Sequence, residues 1–209
     1  VEGPSRQRTL RLETRDSGDP AGNKGPSRMD NSSREQRLKR LYEELKRCRR
    51  CRLAGTRTHV LTGAGNPRAR LMLVAQAPGK TEDREGRLFI GPSGKVFDKL
   101  LNRAGLSRNE IFLTNLLKCT LPKCRKPKQD EIAACLPYLE EEIRIVDPEI
   151  LVPLGFYATR SVMLLNDIPP PKSRALFGHV FGRLHWQGKR EVYPLPHPAA
   201  ILYQRSLEQ

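Results

Sequence analysis

Long apolar runs and a recognisable export signal are both missing from this sequence. No stretch approaches the ~20 consecutive apolar residues that a membrane-spanning helix requires, so we expect no membrane helix. The N-terminal stretch is polar throughout, and we therefore expect a protein of the reducing, intracellular, cytoplasmic environment. In that setting the five cysteines, an odd number, favour metal or cluster ligation over disulfide bonds.

Acidic residues are in short supply. The chain has 23 Asp and Glu against 38 Lys and Arg, which gives a net charge of +15 and a pI of about 10.1. The excess is uneven, since residues 34–58 carry ten basic and three acidic side chains. Such a surplus is typical of proteins that bind a polyanion, most often nucleic acid. The alternative is a soluble basic protein whose charged helix surface is merely solvated.

The chain divides into a polar extension and one domain. Residues 1–32 have almost no apolar side chains and are predicted to be disordered, with Met29 as a candidate natural start. Residues 33–209 are predicted to form a single domain in which helices alternate with strands at 71–75, 111–115, 149–155 and 191–195. This alternation indicates parallel βαβ units, so we predict a three-layer α/β/α sandwich with a short, about four-stranded parallel sheet.

One motif after the first predicted strand is incomplete. Gly79-Lys80-Thr81 is similar to the end of a phosphate-binding loop, but that loop needs a glycine at the position of Val74. We therefore expect no nucleotide cofactor.

Four of the cysteines have the spacing of a metal site. Cys48 and Cys51 form a Cys-x2-Cys unit, and Cys119 and Cys135 are separated by 15 residues across a basic loop. Four thiolates from two distant segments could hold either zinc or an iron–sulfur cluster, and the spacing alone does not choose between them. Cys124 stands outside this pattern as a spare loop thiol.

Three further motifs follow the ends of predicted strands. The first strand leads into Ala77-Pro78-Gly79, Glu82-Asp83, Gly86, Phe89 and Gly91; the second ends in Thr114-Asn115-x2-Lys118-Cys119; the last leads into His197-Pro198-Ala199-Ala200. Together with the cysteines, these motifs resemble those of the family 4, iron–sulfur branch of the uracil-DNA glycosylases. The chain departs from that pattern at Gln76 and Leu88, where the family usually has glutamate and proline.

The resemblance implies an enzyme of DNA base excision repair, and we expect the protein to be monomeric. It would flip uracil out of DNA and hydrolyse the N-glycosidic bond, leaving an abasic site. It implies a 4Fe-4S cluster on Cys48, Cys51, Cys119 and Cys135, with zinc as the alternative. The residues implied to bind uracil are Ala77, Phe89, Asn115 and His197, and those implied in catalysis are His197, Gln76 and Asp83, with Glu82 as an alternative to Asp83.

Two of these residues suit their implied roles chemically. The amide of Asn115 offers both a donor and an acceptor, which fits uracil O4 and N3–H and rejects cytosine, whose edge reverses both. His197 would donate to uracil O2 as negative charge develops there.

Gln76 leaves two other functions open. Glutamine carries no negative charge to stabilise a cationic sugar, so the chain could be a noncatalytic iron–sulfur protein that binds nucleic acid. It could also be a glycosylase for another deaminated base, such as hypoxanthine.

Overall fold

The computed structural model describes residues 31–187 and 190–203. Most of the predicted extension, residues 1–30, lies outside the described residues, whereas Asn31 and Ser32 open the first helix. The helices are α1 (Asn31–Lys46), α2 (Lys80–Glu85), α3 (Pro92–Arg103), α4 (Gln129–Val146), α5 (Phe156–Leu165) and α6 (Pro198–Tyr203). The strands are β1 (Ala64–Gly65), β2 (Leu71–Ala75), β3 (Ile111–Asn115), β4 (Ile150–Pro153), β5 (His185–Gln187) and β6 (Arg190–Val192).

The strands form one sheet with the order β1-β3-β2-β4-β6-β5. The four inner strands are parallel and overlap the four predicted regions, so the parallel core is confirmed. The sheet has six strands rather than about four in the described residues, because β1 and β5 add antiparallel edges. Those edge strands have two and three residues, which is too short for an alternating apolar pattern to reveal them.

Both faces of the sheet are covered. Successive side chains of a strand point to opposite faces, and Met72 and Val74 of β2 accordingly pack in a cluster with residues of α1, α4 and α5. Leu73 and Ala75 pack in a second cluster with Phe97 of α3. The predicted three-layer α/β/α sandwich is therefore confirmed.

The fold brings the candidate site residues to the carboxyl edge of the sheet. Parallel pairing aligns the carboxyl ends of β2 and β3, with Ala75 opposite Asn115. Helix α1 packs against α4, which places the basic segment after α1 beside the loop that follows β3. None of the described helices is both long and apolar enough to cross a bilayer.

Candidate active site and four-cysteine centre

A small cavity of about 110 Å³ opens at the carboxyl edge of the sheet, and we call it the edge cavity. It is lined by Ala77, Pro78, Gly79, Glu82, Phe89, Ser93, Asn115 and His197. These residues come from the loop and helix after β2, the turn and first residues of α3, the end of β3 and the loop after β6. The edge of a parallel sheet is where α/β proteins usually bind ligands.

Asn115 is the most unusual polar residue of the edge cavity. The residue is 1% exposed, yet neither its Oδ1 nor its Nδ2 has a hydrogen-bond partner within the described structure. A buried amide that lacks partners costs about 1–3 kcal/mol per unsatisfied group. The side chain therefore presents one donor and one acceptor that a bound ligand would satisfy.

His197 is held in one protonation form and one tautomer. The backbone N–H of Ala199 donates to Nδ1 at 3.1 Å, so the neutral ring carries its proton on Nε2. Burial lowers the pKa of His197, and the charge of Glu82 only partly opposes this effect. His197 is thus a neutral imidazole near pH 7 with an Nε2–H available to donate.

Backbone packing leaves little freedom around His197. Gly155 has a φ of +86°, and a Cβ at this position would lie 3.3 Å from the Cβ of His197. A side chain there would be strained and would crowd the histidine.

Phe89 is fixed in a strained backbone conformation. Its φ is 51°, in the left-handed region that non-glycine residues seldom adopt. Arg108 donates to the carbonyl oxygens of Leu88 and Phe89 at 3.1 and 2.5 Å. A Cβ at Gly94 would lie 2.0 Å from the Phe89 carbonyl oxygen, so this position must be glycine for the turn to close.

The Phe89 ring is placed for stacking. It lies 4.8 Å from the Phe97 ring centroid and 6.0 Å from that of His197, with the His197 ring only 29° from parallel. A planar ligand that reached His197 would therefore meet an aromatic face that is already oriented.

Glu82 supplies the carboxylate of the edge cavity. Its Oε1 accepts hydrogen bonds from the backbone N–H groups of Ile90 and Gly91 at 3.1 and 2.7 Å. Its Oε2 faces Gly79, where an added Cβ would approach it to 2.5 Å. Glu82 thus both holds the Phe89 turn and lines the cavity.

The other two residues assigned to catalysis lie elsewhere. Asp83 does not line the edge cavity; its carboxylate accepts from the backbone N–H groups of Thr58 and His59 at 3.0 and 3.2 Å. This pairing is a structural contact that ties residues 58–59 to α2. Gln76 is partly buried one position before Ala77, and it also does not line the cavity.

Sequence reasoning missed a buried ion pair beneath Asn115. Lys118 and Glu142 are 1% and 0% exposed at their side chains, and Nζ lies 2.6 Å from Oε2. Nζ also donates to Thr114 Oγ1 at 2.6 Å and to the Asn115 carbonyl oxygen at 2.8 Å. Glu142 in turn accepts from the Thr114 hydroxyl and from the backbone N–H of Gly63. The only sequence feature that pointed to this ion pair was Lys118, which belongs to the Thr-Asn-x2-Lys-Cys motif.

The four predicted ligand cysteines meet at a second site. Cys48, Cys51, Cys119 and Cys135 all line one small cavity, the thiol cavity, whereas Cys124 is exposed and lies outside it. Arg57 donates to Cys119 Sγ at 3.4 Å and to the Cys48 carbonyl oxygen at 2.7 Å. The backbone N–H of Lys118 donates to Cys135 Sγ at 3.4 Å.

The surroundings of the thiol cavity suit a group that neutralises thiolates. Burial raises the pKa of the Cys119 thiol and raises that of Cys135 to about 11, while Arg57 and Lys118 oppose these shifts. No three His, Cys, Asp or Glu side chains among the described residues are arranged to hold a single metal ion.

Comparison with known proteins identifies the family. A profile of the uracil DNA glycosylase superfamily matches residues 62–209. The chain belongs to the uracil DNA glycosylase superfamily. It is 37% identical over 177 residues to the type-4 uracil-DNA glycosylase of Sulfurisphaera tokodaii, covering 82% of this chain and 79% of that protein.

Two more relatives of the same type match most of the chain. Identity to the type-4 uracil-DNA glycosylase of Archaeoglobus fulgidus is 34%, covering 81% of this chain and 85% of the relative. Identity to that of Thermotoga maritima is 33%, covering 84% and 88%. The resemblance drawn from the motifs is therefore confirmed.

Proposed function

We propose that this superfamily member is a uracil-DNA glycosylase that hydrolyses the N-glycosidic bond and leaves an abasic site. The observation that carries the proposal is the unpartnered amide of Asn115, buried in the same cavity as the neutral imidazole of His197. The relatives of the type-4 class are named for the same activity. The noncatalytic alternative is not favoured, because it gives no reason to keep an unsatisfied donor and acceptor beside a histidine.

Recognition of uracil follows from the two atoms of the Asn115 amide. The Nδ2 group donates to uracil O4, and Oδ1 accepts from N3–H. Cytosine presents a donor at the first position and an acceptor at the second, so with the amide in this orientation both contacts become repulsive. Phe89 stacks on the extruded ring, as in other enzymes that flip a base from DNA.

Departure of the base is assisted by His197. As the glycosidic bond breaks, negative charge spreads onto uracil O2, and the Nε2–H of a neutral imidazole donates to that oxygen. This contact strengthens in the transition state and therefore raises the rate, by about 10²- to 10³-fold for a comparable single donor.

We propose that Glu82 acts on the deoxyribose sugar as the base departs. It is the carboxylate that lines the edge cavity, and a negative charge there stabilises a cationic sugar and orients the attacking water. This role compensates for Gln76, which is uncharged. The residues lining the cavity include no lysine, so a Schiff-base intermediate with strand cleavage is not expected.

We propose that Cys48, Cys51, Cys119 and Cys135 hold a 4Fe-4S cluster. Bond hydrolysis moves no electrons, so the cluster would supply a cross-link between the segment after α1 and helix α4. The buried thiols, the nearby cations Arg57 and Lys118 and the enclosing cavity support this assignment. DNA is the proposed partner, with an affinity that falls steeply with salt; the monomeric state stays a prediction.

The test is a single-turnover incubation of anaerobically purified protein with a labelled oligonucleotide that contains one uracil. Alkali and a denaturing gel then reveal abasic sites. We expect strand breaks only after alkali, and none with cytosine at the same position. Cleavage of an oligonucleotide that contains hypoxanthine, but not of the uracil one, would show that hypoxanthine is the substrate. If the protein binds DNA but cleaves neither oligonucleotide, the proposed glycosylase activity is refuted.

A further inference from the structure

Four of the six large apolar side chains that are exposed in the described structure lie in one 20-residue segment. The segment, residues 168–187, is called the basic lobe. Its exposed apolar residues are Leu176, Phe181, Leu184 and Trp186, and Trp186 is 72% exposed. Clusters of exposed apolar side chains on a soluble domain usually mark a binding surface.

The charge of the basic lobe is of one sign. Lys172, Arg174 and Arg183 lie within it, and residues 168–187 contain no Asp or Glu. Lys172 and Arg183 are exposed, while Arg174 lies over the ring of Tyr157 at 5.5 Å. Cations interleaved with exposed aromatic rings are the combination with which proteins bind unpaired nucleic-acid strands.

The basic lobe has a defined structure that holds these side chains outward. The Phe177 ring packs on Phe156 and Phe181, with centroids 6.3 and 5.6 Å away. His185 Nε2 lies 2.8 Å from the Val180 carbonyl oxygen. Strand β5 is paired with β6. The exposed apolar surface is therefore presented by an ordered framework.

One end of the basic lobe lies near the edge cavity. The backbone N–H of Gly182 donates to the carbonyl oxygen of Pro194 at 2.8 Å. Pro194 is three residues before His197, and three residues span at most about 10 Å. Trp186 lies farther from the cavity, because it pairs with Glu191, six residues before His197. Six residues span at most about 21 Å, so with one strand spacing of about 5 Å and roughly 3.4 Å per stacked nucleotide, Trp186 lies within about eight nucleotides of a base bound at His197.

We propose that the basic lobe is a second DNA contact, which binds the unpaired strand on one side of the uracil. Bases stack on Trp186 and Phe181, while Lys172 and Arg183 meet phosphates. The enzyme would therefore prefer uracil in single-stranded or locally opened DNA. This inference rests on the proposed function only in that DNA is the partner.

Trp186 provides a direct test, because it is the only tryptophan of the chain. We expect single-stranded, uracil-free DNA to quench its fluorescence in the full-length protein, since stacking brings a base onto the indole. DNA that binds, as measured by fluorescence anisotropy, without quenching Trp186 would overturn the proposal.

Matched variants separate stacking from charge. Trp186→Ala should weaken binding of single-stranded DNA about 5- to 150-fold and leave the salt dependence unchanged. Arg183→Gln should lower the slope of log K against log salt by about 0.7. The controls are Leu100→Ala, which removes an exposed apolar side chain of α3, and Arg70→Gln, which removes a charge before the start of β2; neither should change binding.

The outcomes also distinguish the two proposals. If Trp186 is quenched and the variants weaken binding but no uracil is excised, the proposed glycosylase activity is refuted and the lobe remains a DNA contact. If uracil is excised but Trp186→Ala and Arg183→Gln bind DNA as the wild type does, the lobe is not a DNA contact and the proposed glycosylase activity stands. A change of oligomeric state in Trp186→Ala, with DNA binding intact, would make the lobe a contact between protein copies and overturn the inference.

Discussion

Replacement of Lys118 by methionine tests how the domain supports Asn115. The variant Lys118→Met removes the partner of Glu142, which is 0% exposed at its side chain, and leaves a buried carboxylate without a cation. Breaking a buried pair in this way costs about 3–5 kcal/mol. The free energy of unfolding of a domain is about 5–15 kcal/mol, so the loss is a large share of the total.

Urea unfolding of anaerobically prepared protein measures this loss. With an m-value of about 2–3 kcal/mol per M, the unfolding midpoint should fall by about 1–2.5 M. The double variant Lys118→Met with Glu142→Gln should recover at least half of that shift, because the buried charge is gone and the amide oxygen can still accept from Gly63 or Thr114. Arg70→Met is the exposed control; it breaks the pair with Glu149 at the surface and should cost under about 1 kcal/mol.

Two results would contradict the reasoning. A midpoint in Lys118→Met that matches the wild type would mean that the carboxylate of Glu142 is solvated or protonated. A double variant that is no more stable than Lys118→Met would mean that packing of the lysine chain, and not the unpaired charge, causes the loss. In either case Lys118 would not support the strand end that carries Asn115 in the manner described.

Three further predictions concern the two sites. Asn115→Asp replaces the donor to uracil O4 with an oxygen and keeps the acceptor for N3–H, so single-turnover excision should fall about 5- to 150-fold from the loss of one hydrogen bond and the unsatisfied O4; an unchanged rate would show that Asn115 does not recognise uracil. Burial lowers the pKa of His197, and protonation would place a proton on Nδ1 facing the Ala199 N–H that Nδ1 accepts from. This would disturb the position of the ring, so the excision rate should fall only as the pH drops through a midpoint below about 6.5. That acid limb should be absent in His197→Ala, which loses more rate than DNA affinity, and a midpoint above 6.5 would contradict the assignment. Cys119→Ala should lose visible absorbance and thermal stability together, while Cys124→Ala, outside the thiol cavity, should keep both; colour retained in Cys119→Ala would exclude it as a ligand.

Much of the parallel core was predictable because its signals are local. Strands β2 and β3 are short apolar runs, and the regular spacing of Leu139, Ile143 and Val146 along α4 marks a buried helix face. The edge strand β1 is only two residues long and is held by pairing with β3, so no local sequence pattern predicts it.

The choice between Glu82 and Asp83 illustrates what a sequence leaves open at a site. The two carboxylates are adjacent in α2, and successive helix residues point about 100° apart. One therefore reaches the edge cavity while the other turns away to Thr58 and His59. The direction depends on how α2 is set against its neighbours, which the residue types do not specify.

By itself, the sequence determined the parallel α/β core, the four thiols and the identity of the residues that end strands near the cavity. The tertiary structure decided which of these side chains meet. Asn115 is left unpartnered while Lys118, three positions later, is neutralised by Glu142 from 24 positions further along the chain. Such contacts arise only when α4 packs on the sheet, because burial and pairing depend on distances in space that no local pattern encodes.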